Sequence, residues 1–218
     1  NEDFKRFMSE CKKRGIRVIL DLVLNHTSSQ HPWFKNAADP KDPHHDWYIW
    51  SKDKPAWKGP WNQEVWFNAK DAGGRQSTGG GGPFFYGIFS SHMPDLNYRN
   101  PEVTKEMNKV TEFWLKDYGV DGYRLDAIRH LLEDGAQQEN VPETHEWLRN
   151  WHKFYKSVDK NAFTVGEVWT DTATIASYVP DQLDTCFEFD MSFATIDAVN
   201  SGEAKRIKDA TVNAWKAY

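Results

Sequence analysis

A chain of 218 residues with 39% hydrophobic content can bury a real core, as one large domain or two small ones. Its net charge of −5 gives no electrostatic reason to expect nucleic acid or an anionic membrane surface as a partner. No apolar run approaches the roughly 18–20 residues that cross a bilayer, so no membrane partner is expected either. The two cysteines, Cys11 and Cys186, fall on different predicted elements and make no disulfide framework, so both are expected to be free thiols.

In chain order, "NEDFKRFMSECKKRG" (1–15) predicts an amphipathic helix stopped by Gly15. It reads as the middle of a longer protein and has no signal-peptide layout, which leaves the compartment open. "IRVILDLVL" (16–24) is an apolar, β-branched run, the pattern of a strand covered on both faces. Residues 27–100 then carry no sustained helical period. They hold Trp33, Trp47, Trp50, Trp57, Trp61 and Trp66, and the turn-like "DAGGRQSTGGGGPF" (71–84).

Regular alternation follows. "PEVTKEMNKVTEFWLKDY" (101–118) opens on Pro101 and spaces Val103, Met107, Val110 and Trp114 as a helix, with Gly119 as its stop. "DGYRLDAIRH" (121–130) contains a strand over 121–127. "ENVPETHEWLRNWHKFYKSV" (139–158) is a helix with Trp147, Trp151 and Phe154 on one side, and "AFTVGEVW" (162–169) is a strand. A short helix at 171–179, a strand in "DTCFEFDM" (184–191) and a helix in "GEAKRIKDATVNAWKAY" (202–218) complete the order. Alternating β and α elements mean a parallel sheet flanked by helices, either doubly wound or a closed barrel. No glycine-rich dinucleotide turn follows any strand, which counts against a nucleotide-binding open sheet. Four strands are too few to close a barrel of eight, and a connection of some 70 residues far exceeds the usual about 4–6. The expected fold is therefore α/β, part of a (β/α)8 barrel, with 1–26 and 101–218 in the barrel and 27–100 an inserted subdomain.

In such a barrel chemistry sits at the C-terminal strand ends. There the sequence places Asp21 and Asn25-His26, then Arg124 and Asp126 on one strand face, then Glu167 beside Gly166 and Trp169, and last Glu188 and Asp190. A buried carboxylate must be paired or protonated. Arg124 would hold Asp126 ionised, whereas Val165, Val168 and Trp169 would push Glu167 towards its acid form. That division of labour is the one glycosidases use. Each residue alone is as readily structural, and convergence on one face is what favours catalysis. The tryptophans of the insertion are equally compatible with a small core and with stacking on sugar rings. Adjacent histidines in "DPHHDW" (42–47) would point apart, so no zinc site is expected there.

These motifs resemble the alpha-amylase family of glycoside hydrolases. "DLVLNH" (21–26), "GYRLDAIRH" (122–130) and "GEVW" (166–169) are similar to its first three signatures, and "MPDLN" (93–97) to the short motif closing its inserted subdomain. The resemblance implies the (β/α)8 barrel, with Asp126 as nucleophile and Glu167 as general acid/base. Arg124 would orient Asp126, His26 would bond the sugar in the cleaved subsite, Asp21 would brace it, and Arg129 and Trp169 would contribute to substrate binding. It also implies calcium held by Asn25, Asp95 and the backbone carbonyl of His130, oxygen donors suited to a hard cation. The fourth signature and the third essential carboxylate are expected beyond Tyr218, so the isolated chain is expected to be inactive or weak. The reading is a retaining hydrolase of α-1,4-glucosidic bonds in starch-like glucans or maltooligosaccharides. Its rivals are a transglycosylase or α-glucosidase of the same family, and a non-catalytic barrel relative, which would not need Arg124, Asp126 and Glu167 together.

Overall fold

A computed structural model describes residues 1–70 and 84–218. Most of the glycine-rich run lies outside the described residues. Helix α1 (Glu2–Lys13) ends where Gly15, at φ +68°, takes the left-handed turn that stops it. Four parallel strands follow in sheet order: β1 (Ile19–Leu22), β5 (Gly122–Leu125), β6 (Phe163–Gly166) and β7 (Thr185–Cys186). Between β1 and β5 come α2 (Pro32–Ala37), β2 (Trp50–Ser51), β3 (Trp66–Asn68), β4 (Phe84–Tyr86) and α3 (Pro101–Glu112). Helix α3 runs on into a π-helical turn, Phe113–Asp117. Beyond β5 lie α4 (Pro142–Val158), α5 (Thr172–Ala176), α6 (Phe189–Ser201) and α7 (Lys205–Ala217).

Packing divides the chain into two compact units. The first comprises 1–22, 112–127 and 145–218, and is built on the parallel sheet. Its central strand β5 is buried except at Arg124, whereas edge strand β1 leaves Ile19 and Asp21 exposed, so the cover expected on both its faces is incomplete. Helix α4 docks through Leu148, Trp151 and Tyr155, whose i, i+3, i+7 spacing makes one stripe. Trp151 meets the ring of Tyr123 at 6.3 Å, and the Tyr155 hydroxyl bonds Thr164 Oγ1 at 2.9 Å. Asp184 then accepts from Thr164 N–H at 2.9 Å and from Lys156 Nζ at 2.7 Å, tying helix and strand together below β7. Cys11 and Cys186 are both free and buried.

The second unit comprises 23–111 and 128–144. Its three-stranded antiparallel sheet, in the order β2-β4-β3, was not legible as strands in the sequence. Of its six tryptophans Trp66 is buried, packed with Val65, Tyr86 and Ile88, while Trp57 lies half-buried against that cluster and Trp33, Trp47 and Trp50 are also half-buried. The segment 128–144 joins this unit through Gln138, which accepts from Tyr86 OH at 3.0 Å and donates to the Lys58 carbonyl at 2.7 Å. The compact unit is thus larger than the expected insertion 27–100.

The end of the chain corrects two expectations. The strand in 184–191 is only two residues long, and Phe189 already begins α6, a helix the periodicity did not reveal. Its Phe193, Ile196 and Val199 are exposed, so they trace no buried stripe.

Gly122, at φ +149°, sits where β5 meets β6, and a Cβ there would run into the carbonyl oxygen of Phe163 and, at 2.6 Å, its nitrogen. Gly122→Ala is expected to lower unfolding free energy by roughly 3 kcal/mol or more, since both the backbone conformation and the strand contact are lost. Urea denaturation followed by tryptophan fluorescence would check this, and an unchanged midpoint would refute it.

Candidate active site

Register assembles the first constellation, which lies wholly within the sheet unit. Asp21 on β1 stands opposite Arg124 on β5, and Leu125 opposite Gly166 on β6, so Glu167 leaves its strand one residue beyond that pair. The Glu167 N–H donates to the Leu125 carbonyl at 2.9 Å, extending the ladder by one rung. Arg124 is the hub. Its Nη1 donates to both oxygens of Asp21, at 2.8 and 2.9 Å, and to Asp126 Oδ1 at 2.5 Å. Its Nη2 donates to Glu167 Oε2 at 2.5 Å. A planar guanidinium with five donors can serve several acceptors at once, which a lysine could not do with fixed geometry.

Burial pushes the Glu167 carboxyl above the ordinary range, and a hydrogen bond to Asp126 together with that residue's charge adds to the rise. The Arg124 cation and the Ala127 N–H, 3.4 Å from Oε2, pull the other way. Ala127 holds φ +49°, a left-handed conformation uncommon for a residue with a Cβ. Trp169 is 59% exposed, with its ring stacked at 5.8 Å on Phe189. Glu188 and Asp190 turn away from this cluster: both accept from the Thr172 hydroxyl, at 2.8 and 3.0 Å.

The second constellation lies within the insertion unit. His26 forms a β-bridge with Asp95, and its ring meets Phe89 at 5.5 Å. Asn25 and Asp95 are buried, and Asn25 Oδ1 and Asp95 Oδ2 are buried without a hydrogen-bond partner. Asp95 Oδ1 accepts from Ile88 N–H at 3.3 Å. Burial, with the nearby Glu133 charge, lifts the Asp95 carboxyl well above the usual carboxylate range, while the Asn25 side chain and Ile88 N–H oppose the rise. Glu133, which the sequence reading did not single out, is pushed up to about 7 by burial, despite Arg99 Nη1 at 3.1 Å. Only its spacing after the second motif could have drawn notice.

His130 and Arg129 work inward. His130 Nε2 accepts from Arg129 Nε at 3.1 Å, which leaves Nδ1 to donate to the Gln138 carbonyl at 2.9 Å. With both ring nitrogens engaged, only the His130 backbone carbonyl is left to meet a cation. Arg129 is 8% exposed, and its Nη2 pairs with Glu139 at 2.8 Å. Among the described residues, no three His, Cys, Asp or Glu side chains gather to hold a metal by themselves. The orphaned, buried oxygens of Asn25 and Asp95 are nonetheless donor chemistry that suits calcium.

Comparison with known proteins places this geometry. The family model for the alpha-amylase catalytic domain matches residues 1–218. The chain is 37% identical over 199 residues to alpha-amylase 3 of Dictyoglomus thermophilum, covering 91% of this chain and 35% of that protein. It is 41% identical over 162 residues to the trehalose synthase of a Pimelobacter species, covering 73% of this chain and 27% of that one. The crystal structure of the alpha-amylase from H. orenii matches with a TM-score of 0.84 at 31% identity, over 100% of this chain and 42% of that chain. The chain therefore spans about a third of the length of these curated relatives. Its parallel sheet is part of their (β/α)8 barrel, interrupted by an inserted subdomain. The chain belongs to the alpha-amylase family of glycoside hydrolases.

Proposed function

We propose that this chain carries the nucleophile and the general acid/base of a retaining enzyme acting on α-1,4-linked glucans or maltooligosaccharides. The observation that carries the reading is Arg124 gripping Asp126 through Nη1 and Glu167 through Nη2 at once, each at 2.5 Å. Such closeness suits retention, since inverting pairs stand about 6.5–9.5 Å apart to admit a water. Asp126 attacks the anomeric carbon as the glycosidic oxygen takes the Glu167 proton and leaves. Glu167, now a carboxylate, removes a proton from water, which displaces Asp126 and releases an α-product. If a sugar hydroxyl takes the place of water, the same steps transfer the glycosyl group. The 41% identity to a trehalose synthase favours keeping transfer as the second reading. His26 would bond the sugar in the cleaved subsite, Asp21 would hold Arg124 in place, and Trp169 would offer an aromatic face to the substrate.

Asn25 Oδ1, Asp95 Oδ2 and the His130 carbonyl would hold calcium. The ion would supply structural positive charge beside the buried carboxyl of Asp95.

Three outcomes test these roles. Proton NMR of maltoheptaose should show α-anomeric product before mutarotation when the chain is extended to the length of its relatives. The 218-residue chain alone should stay well below about 1 s⁻¹, an ordinary turnover. Asp126→Asn or Glu167→Gln should abolish the signal, and β-product appearing first would refute retention. Secondly, Glu167 binds its proton more tightly folded than unfolded. It therefore adds stability that is complete below the free glutamate pKa of about 4.3 and is lost as pH rises through the raised folded value. Glu167→Gln should flatten the pH dependence of the urea midpoint across that window, and parallel wild-type and mutant curves would count against it. Thirdly, calcium at 100 times its Kd should stabilise the chain by about 2.7 kcal/mol. Chelator should reverse the gain, and Asp95→Ala should remove the response.

A further inference from the structure

One tryptophan of the insertion stands exposed. Trp61 is 53% exposed, as expected when one face and an edge of the ring are open. Its other face stacks on Phe89 at 5.9 Å and 27°, and its edge meets the His130 ring at 5.5 Å. Phe89 in turn meets His26. His26, Phe89 and Trp61 thus form a continuous row of rings, half-buried at His26 and open at Trp61.

The turn that carries Trp61 is built to hold it there. Asn62, at φ +61°, closes the turn by donating to the Gly59 carbonyl at 2.9 Å. The Gln63 carboxamide accepts from Trp61 N–H at 2.9 Å and donates to the Ile88 carbonyl at 2.9 Å, next to Phe89. One side chain therefore sets the distance between the two stacked rings. Gly59 leaves room for it: a Cβ at that position would overlap the Gln63 carboxamide, with Oε1 only 2.6 Å away. Just upstream, the Lys58 carbonyl is pinned by Gln138 at 2.7 Å. An exposed apolar ring fixed at this cost in chain entropy needs a use, because solvent alone would leave such a side chain free to move.

We infer that Trp61, stacked on Phe89 and positioned by Gln63, is a binding platform for a glucosyl unit of the substrate away from the one held by His26. This inference rests on the α-glucan reading. Sugar rings present flat apolar faces with polar edges, and an aromatic face meets them without requiring a charged partner. A glucosyl ring is similar in breadth to an aromatic ring, so the open face of Trp61 suits one sugar, the facing side of Phe89 being covered by the stack. Trp61 then sets chain-length preference, while the bond-breaking groups set the reaction.

The test is calorimetric titration of the chain, extended to the length of its relatives and carrying Glu167→Gln so that no sugar is cleaved, and of variants in that background, with maltose and with maltoheptaose. Trp61→Ala should weaken maltoheptaose binding about tenfold, the order of a stacking contact, and leave maltose unchanged. Trp61→Phe should retain most of the affinity. Gln63→Leu should fall between the two, since the ring remains but its alignment is lost. Thermal unfolding of the Trp61 variants should stay cooperative, with at most the small shift expected from losing one stacking contact with Phe89. Equal binding of maltoheptaose by the Glu167→Gln parent and Trp61→Ala would overturn the platform and leave the α-glucan reading standing. Equal losses for both sugars would also overturn it, because a length-independent effect belongs to the subsite of His26. A parent chain that binds neither sugar would overturn the α-glucan reading, and the platform with it.

Discussion

The sheet unit is organised around one guanidinium. Arg124 sits on the central strand, and three carboxylates from three places in the chain converge on it: Asp21, Asp126 and Glu167. Asp126 comes from the same stretch of chain as Arg124, but Asp21 and Glu167 depend on register, because a slip of one residue in either parallel pairing would turn an acid to the opposite face. The cost of bringing three acids together is met by making one cation common to all of them and by letting Glu167 keep its proton more readily than a free glutamate. Removing the hub would leave like charges adjacent with nothing between them, which is why the ion pairs here differ in kind from the exposed helix pairs such as Lys13–Glu10.

The insertion unit solves the opposite problem. Its buried acids have too little positive charge nearby: Arg99 reaches Glu133, but Asp95 has only the Ile88 N–H and the Asn25 amide. The inward-facing Arg129 and His130 sharpen the contrast, since one pairs with Glu139 and the other has no free ring nitrogen.

Much of the fold was legible because local signals agree with it. Gly15 and Gly119 stop their helices with positive φ, and Arg124 and Asp126 alternate with the buried Leu125 as strand geometry requires. Parts that depend on distant packing were not legible. The strands around Trp50, Trp66 and Phe84 are two or three residues long, too short for a period to register. Helix α6 was hidden because Phe187, Phe189 and Met191 alternate with Glu188 and Asp190 at its start, the pattern of a strand. In the site, residue types and order were readable, but not that Asp21 grips Arg124 with both oxygens, nor that Glu133 is buried near Asp95. Both are contacts between segments far apart in sequence.

Gln138 gives the insertion a discontinuous character. It bonds Tyr86 and Lys58 from a segment that follows β5 in the chain, so the subdomain is completed only after the polypeptide has passed through a strand of the barrel. A chimera that exchanges residues 27–100 between two members of the family would therefore carry an unfilled seam. Grafts should move 23–111 and 128–144 as a matched pair, and natural variation in the two stretches is best compared jointly rather than one loop at a time.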